Sequence, residues 1–234
     1  MRGARRSARW AAVARETRAM AWQARFLAHD LRPTSRGGAG PQVVLVHGLY
    51  ATAGVFRPLR RHLESELGAA THTFSYPTGP GIRDVAARLE AFVRDLLPGA
   101  PLALLGHSMG GLAIRLYLRQ RKGGPPVKQT VSLATPYKGS PRNHWVWGQA
   151  GRDARPEAPM LAKLRAVDAR DADIPHLSIV GADDRMIAPE AYPDYGKQLT
   201  LAAVGHNGLL FDPRVRHACV QTLKRAFSLG GSTR

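Results

Sequence analysis

From residue 42 onward the apolar positions of the chain fall into two alternating kinds of segment. Short runs rich in leucine or β-branched residues read as buried strands: QVVLVHG (42–48), THTFSYP (71–77), PLALLGH (101–107), KQTVSLAT (128–135), HLSIVGA (176–182) and QLTLAAVG (198–205). Between and after them lie longer stretches with helical spacing, at 54–67, 82–97, 109–121, 159–166 and 213–228. This alternation predicts a mostly or wholly parallel sheet of six strands, with right-handed crossovers and helices on both faces. The stretch 136–158, PYKGSPRNHWVWGQAGRDARPEA, breaks the pattern. Rich in Gly, Pro and Arg, it is expected to form a cap-like insertion over the carboxyl ends of the strands, where open α/β sheets bind ligands.

Residues 1–36 follow a different rule and read as a basic helical extension ahead of a body spanning 37–234. Trp10, Val13, Thr17, Met20, Ala24, Leu27 and Leu31 recur in steps of three and four, a stripe expected to dock on the body. Arg15, Arg18, Trp22, Arg25, Phe26 and His29 fall on the opposite side. That face suits an anionic membrane surface, where rings bury apolar area and guanidinium groups meet phosphates. In the alternative arrangement, Trp22 and Phe26 are covered by the insertion or by a second subunit, and the helix is a brace.

Charge changes this picture little. The net charge is +17, and residues 1–36 carry nine arginines against Glu16 and Asp30. The remaining excess is scattered over predicted helix surfaces, without zinc-finger spacing, an RNA-binding aromatic signature or a basic recognition helix, so nucleic acid is not the expected partner. The single Cys219 permits no intrachain disulfide and sits in a helix-like segment. No apolar run reaches the ~18 residues of a membrane span. Residues near the start lack the ~7–15-residue apolar core of a signal peptide, so a cytoplasmic or peripheral-membrane location is expected.

The chemistry concentrates at one turn. In GHSMG (106–110), Ser108 stands between glycines at the junction of an apolar strand and a mostly apolar helix. That strand–turn–helix setting is what a nucleophilic serine needs, with its hydroxyl exposed and the helix N-terminus beneath it. The serine also requires a base. Of nine histidines, His29, His62 and His217 lie in helical patterns, His72 and His176 open strands at the far end, and His144 lies in the insertion. His47 and His107 are too close to their own turns. His206 follows the last strand and precedes the last helix, which makes it the candidate base. The acid should follow the preceding strand, where Asp183 and Asp184 are both plausible. His47-Gly48 closes the first body strand and lets the chain bend inward, so the Leu49 N–H can join the Met109 N–H as an oxyanion donor. Tyr50, beside that donor, and Trp145 and Trp147 in the insertion are candidate substrate-binding residues.

VLVHGLY, LLGHSMGGLA, SLATPYKGSP, GADDRMIAP and VGHNGLLFDP, in this order, resemble the motifs of the α/β-hydrolase superfamily, in particular the small bacterial lipases and esterases. The resemblance implies the minimal α/β-hydrolase fold and the triad order Ser, Asp, His. The family's Gly-x-x-Asp-x-x-Val/Ile pattern fits Gly181, Asp184 and Ile187, and favours Asp184 over Asp183. It implies an ester or lipid acyl group as substrate, attacked by Ser108 through an acyl-enzyme, with neither metal nor other cofactor. An acyltransferase or thioesterase with the same triad, or a non-catalytic binding module, would share most of these features.

Overall fold

The computed structural model describes residues 2–97, 99–141, 146, 148–165, 173–193 and 195–228, with side chains described from Trp10 onward. Seven strands form one sheet: β1 (Thr34–Arg36), β2 (Gln42–Val46), β3 (Ala70–Phe74), β4 (Leu102–His107), β5 (Val127–Leu133), β6 (His176–Gly181) and β7 (Lys197–Leu201). Their order is β1-β3-β2-β4-β5-β6-β7. The six expected strands all pair in parallel, with shifted ends. The seventh, β1, is an antiparallel edge strand that sequence reading did not anticipate. Its three residues, Thr-Ser-Arg, carry no apolar signal; a hydroxyl pair between Thr34 and Thr73 (2.7 Å) and a bond from Arg60 Nη1 to Thr34 Oγ1 (2.8 Å) attach it instead.

The helices are α1 (Arg2–Phe26), α2 (Arg57–Leu67), α3 (Ile82–Leu96), α4 (Met109–Gln120), α5 (Gln149–Asp153), α6 (Pro159–Arg165) and α7 (Pro213–Ser228). Successive side chains of a strand point to opposite faces, and the sheet uses this to build two cores. Val44, Val46, Leu102 and Leu104 pack with α3, α4 and α6. Val43, Leu45, Ala103 and Leu105 pack with α2 and α7 on the other side. Each valine or leucine among them, fully removed from water, contributes roughly 1.5–3 kcal/mol before chain entropy is subtracted. The central strands β2 and β4 are therefore rigid supports, and both run toward the edge where the candidate residues gather.

The docking of α1 differs from the expected one. Ala12, Glu16, Ala19, Gln23 and Phe26 turn toward the body, with Val13 of the expected stripe also half-buried, and Ala19 is the helix's only buried described side chain. The stripe expected to dock faces largely outward, with Trp10 65%, Met20 57%, Leu27 38% and Leu31 66% exposed. The opposite face divides: Phe26 stacks on Phe211 (6.0 Å between centroids) and Trp22 lies against both, whereas Arg15, Arg18 and Arg25 are exposed. Specific partners chose the face. Thr52 Oγ1 donates to the Phe26 and His29 carbonyls (3.1 and 2.8 Å), and Glu16 accepts from Asn207, contacts that outweigh a stripe of moderate apolar content.

Candidate active site

Strand β4 ends at His107, and α4 begins at Met109, leaving Ser108 alone at the turn. Its backbone, φ 51° and ψ −121°, is one an L-residue rarely adopts. Packing holds it there: the Ser108 N–H donates to Leu133 O (2.8 Å), and the helix behind is buried from Met109 to Leu118. The flanking glycines are sterically required. A Cβ on Gly106 would come within 2.5 Å of the Gly111 nitrogen, and one on Gly110 within 2.6 Å of the His47 carbonyl. The tight turn thus depends on α4 lying almost in contact with β4 and the end of β2.

Asp184 and His206 are joined directly, His206 Nδ1 lying 2.9 Å from Asp184 Oδ2. The Asp184 Oδ1 atom accepts from the N–H groups of Met186 (2.8 Å) and Ile187 (2.9 Å), and Tyr192 donates its hydroxyl to Oδ2 (3.2 Å). Burial alone would raise this carboxyl. The His206 hydrogen bond and charge and the two backbone donors outweigh it and hold Asp184 below the ordinary carboxylate value. Burial, with the Asp184 charge behind it, raises Tyr192, so its hydroxyl remains a donor. Asp183 points elsewhere and pairs with Arg15 of α1 at 2.6 Å. Two adjacent carboxylates therefore have different partners, one facing the histidine and the other the helix.

His47 and His107 are buried, and the histidine bonded to Asp184 is His206 instead. Burial chiefly lowers His107, to about 3, and His206 adds to the effect; its Nε2 lies 3.3 Å from the His206 carbonyl, a packing contact behind that loop. Burial likewise lowers His47, to about 4. Tyr76 N–H donates to His47 Nε2 (3.3 Å), so the proton resides on Nδ1, which donates to Gly48 O (2.8 Å). In a trans peptide the N–H points opposite to the carbonyl. Fixing Gly48 O on the His47 ring therefore directs the Leu49 N–H away from that ring. Neither the Leu49 nor the Met109 N–H has an acceptor among the described residues.

Ser108, His206, Leu49, Met109 and Tyr50 line one cavity of about 160 Å³, with Leu112, Met186 and Ile187 among its apolar walls. No hydrogen bond joins Ser108 Oγ to His206 among the described residues; this contact commonly tightens only with substrate in place. Trp145 and Trp147 lie outside the described residues, although Val146 between them lines the cavity. A larger cavity, about 440 Å³, runs beneath α1 between Trp22, Phe211 and Arg216 and contains none of these groups. Chemistry rather than size identifies the site. Among the described residues no group of three or more His, Cys, Asp or Glu side chains could hold a metal ion.

Sequence reading missed two contributions to this site. Met20 and Gln23 of α1 form part of the cavity wall. Glu16 Oε1 accepts from both the backbone N–H and the side-chain amide of Asn207 (2.8 Å each), the residue after His206. Its other oxygen, Oε2, is buried without a partner. A lone acid on a mixed helix carries no local signal of so distant a partner.

A doubly packed, mostly parallel sheet with a serine at a strand-to-helix turn is the arrangement of the α/β-hydrolase class. The family model described as alpha/beta hydrolase fold matches residues 41–162, more than half of the chain, and the chain belongs to that family. Among solved structures it is similar to the mature form of a lipase from Bacillus licheniformis (TM-score 0.69, 13% identity, covering 83% of this chain and 99% of that one). It is also similar to a monoacylglycerol lipase from Paleococcus ferrophilus (TM-score 0.64, 17% identity, 85% and 100% covered). An esterase from Exiguobacterium antarcticum is a third such structure (TM-score 0.60, 18% identity, 82% and 94% covered). No curated protein matches the chain in sequence.

Proposed function

We propose that the chain is a serine carboxylic ester hydrolase acting on acyl esters, with Ser108 as nucleophile, His206 as base and Asp184 as orienting acid. The observation that carries this reading is the Asp184–His206 hydrogen bond at the wall of the cavity that Ser108 enters from a strained turn. Asp184 accepts the Nδ1 proton and so leaves His206 Nε2 free to accept one. The Ser108 hydroxyl proton passes to Nε2 as Oγ bonds to the ester carbonyl carbon, and the N–H groups of Leu49 and Met109 receive the developing oxyanion. As the tetrahedral species collapses, the carbon–alkoxy bond breaks and Nε2 returns its proton to the departing alcohol. Water then gives a proton to His206 as its oxygen bonds to the acyl carbon, and when the acyl carbon–Oγ bond breaks His206 returns that proton to Oγ, releasing the acid and restoring Ser108. The named activities of the similar lipases and esterases agree with this chemistry.

A p-nitrophenyl ester series of increasing chain length, with and without an alcohol acceptor, tests the reading. The wild type should release free acid. Ser108→Ala should lose at least roughly a thousandfold in kcat/KM while keeping its circular dichroism. Turnover that survives Ser108→Ala would refute the assignment, and dominant transfer to the alcohol would make the enzyme an acyltransferase.

A further inference from the structure

Among the described residues, every exposed large apolar side chain belongs to one of two neighbouring groups. Trp10, Met20, Trp22, Leu27 and Leu31 lie on α1 and the turn after it, and Tyr50 and Met186 lie at the catalytic cavity. At about 100° per residue, Trp10 and Met20 share one side of α1 with Thr17, Ala24 and the half-buried Val13, and Leu27 continues it in the turn after the helix. Met20 also lines the cavity, so this stripe leads directly to its mouth. Arg18 and Arg25 occupy the other side of the outward face, both exposed. Arg15 is engaged by Asp183 and Phe26 by Phe211, so those members of the basic aromatic face serve as attachment to the body.

We propose that the outward face of α1 and the turn after it, from Trp10 to Leu31, docks on an anionic lipid surface and holds the mouth of the catalytic cavity against it. The stripe would bury apolar area at the headgroup boundary while Arg18 and Arg25 reach phosphates beside it. Charge selects the occupant: a chain of net charge +17 is drawn to an anionic surface, whereas a second copy would bring two such charges together. No described helix is long and apolar enough to cross a membrane, and docking of this kind needs none. The cavity of about 160 Å³ holds only the reacting end of a long acyl ester. Met20, Tyr50 and Met186, each exposed at its rim, continue an apolar path toward the surface. The substrate class, an acyl ester residing in lipid, rests on the ester-hydrolase reading; the docking itself does not.

Flotation of the full chain with phosphatidylcholine vesicles, with or without phosphatidylglycerol, tests the docking, using Ser108→Ala protein so that turnover leaves the vesicles intact. Binding should require phosphatidylglycerol and weaken at least about threefold as salt is raised. Adding Trp10→Ser with Leu31→Ser, both well exposed and outside the cavity wall, should weaken it about tenfold or more. In the wild-type background the same pair should leave hydrolysis of a water-soluble short-chain ester unchanged. Absent binding, or binding that ignores either salt or the double substitution, overturns the proposal. So does a dimer that the double substitution dissociates in a chain that ignores vesicles, because the stripe then covers a second copy. Vesicle binding of the expected pattern without any ester turnover would uphold the docking and refute the hydrolase reading.

Discussion

Helices α4 and α1 both reach the catalytic cavity, and they are held by opposite means. α4 is buried continuously from Met109 to Leu118, wedged against β4 and α3. α1 is twice as long, yet only Ala19 is buried among its described side chains. A few directed contacts keep it in place: Glu16 to Asn207, Arg15 to Asp183, Thr52 to its last carbonyls, and the Phe26–Phe211 stack. The core fixes α4, so the strained turn at Ser108 is sustained by the stability of the whole domain. α1 touches the loops of the base and of the oxyanion donor, yet contributes little to the core. Such an element opens at a lower free energy than the rest. Ser108 is thus placed by the fold, while the loop that carries His206 depends in part on a helix with few buried contacts.

The largest expected effect separates the two adjacent carboxylates. Asp184→Asn should lower kcat on the order of a thousandfold, because the amide no longer fixes the His206 tautomer or stabilises its cation. Asp183→Asn removes only a partly exposed ion pair to α1 and should cost less than about threefold. Equal losses in steady-state assays would erase the division of roles. A smaller effect tests the tie between α1 and the base. Glu16→Ala leaves the Asn207 N–H without its acceptor and should reduce kcat by about tenfold, the equivalent of one buried hydrogen bond. Glu16→Gln retains an acceptor oxygen and removes the orphaned charge, so it should recover most of the rate. If both variants behave as wild type, α1 does not position the base.

Acid tests stability rather than catalysis. His47 and His107 have folded values of about 4 and 3, below the ordinary imidazole value of 6.5. Between those values the unfolded chain binds protons that the folded chain refuses. Their stabilisation is therefore full above pH 6.5 and declines as pH falls toward 4 and 3. Each should contribute on the order of 1 kcal/mol of loss per pH unit in that window. Urea unfolding at pH 7, 6 and 5 should show this decline in the body, since both rings are buried there. A flat profile would contradict neutral, buried imidazoles.

The parts of the molecule that were legible in sequence are those built from local pattern. Six strands announced themselves as apolar runs: in β2 to β6 a parallel sheet covered on both faces buries nearly every residue, whereas the edge strand β7 buries only Leu201 fully. The turn at Ser108 was legible because glycine and serine occupy positions where sterics leave few alternatives. β1 escaped notice because Thr34 and its neighbours hold the sheet edge through hydroxyl and guanidinium bonds rather than apolar area. The docking of α1 was misassigned because periodicity identifies a stripe but not its destination, and Glu16 and Phe26 had partners 191 and 185 residues away in sequence. Residues alone left Asp183 and Asp184 equivalent. The family pattern around Gly181 and Ile187 favoured Asp184, and the fold gives the physical reason: the turn after β6 directs Asp184 toward His206 and Asp183 toward α1.

Fluorophosphonate labelling of the full chain, followed by peptide mapping, tests the central claim most directly, because the reagent bonds only to a serine whose base and oxyanion donors are in place. A single adduct on Ser108 is expected, absent from Ser108→Ala and strongly slowed in His206→Ala. An adduct on another residue, or labelling that persists in Ser108→Ala, would contradict the catalytic assignment.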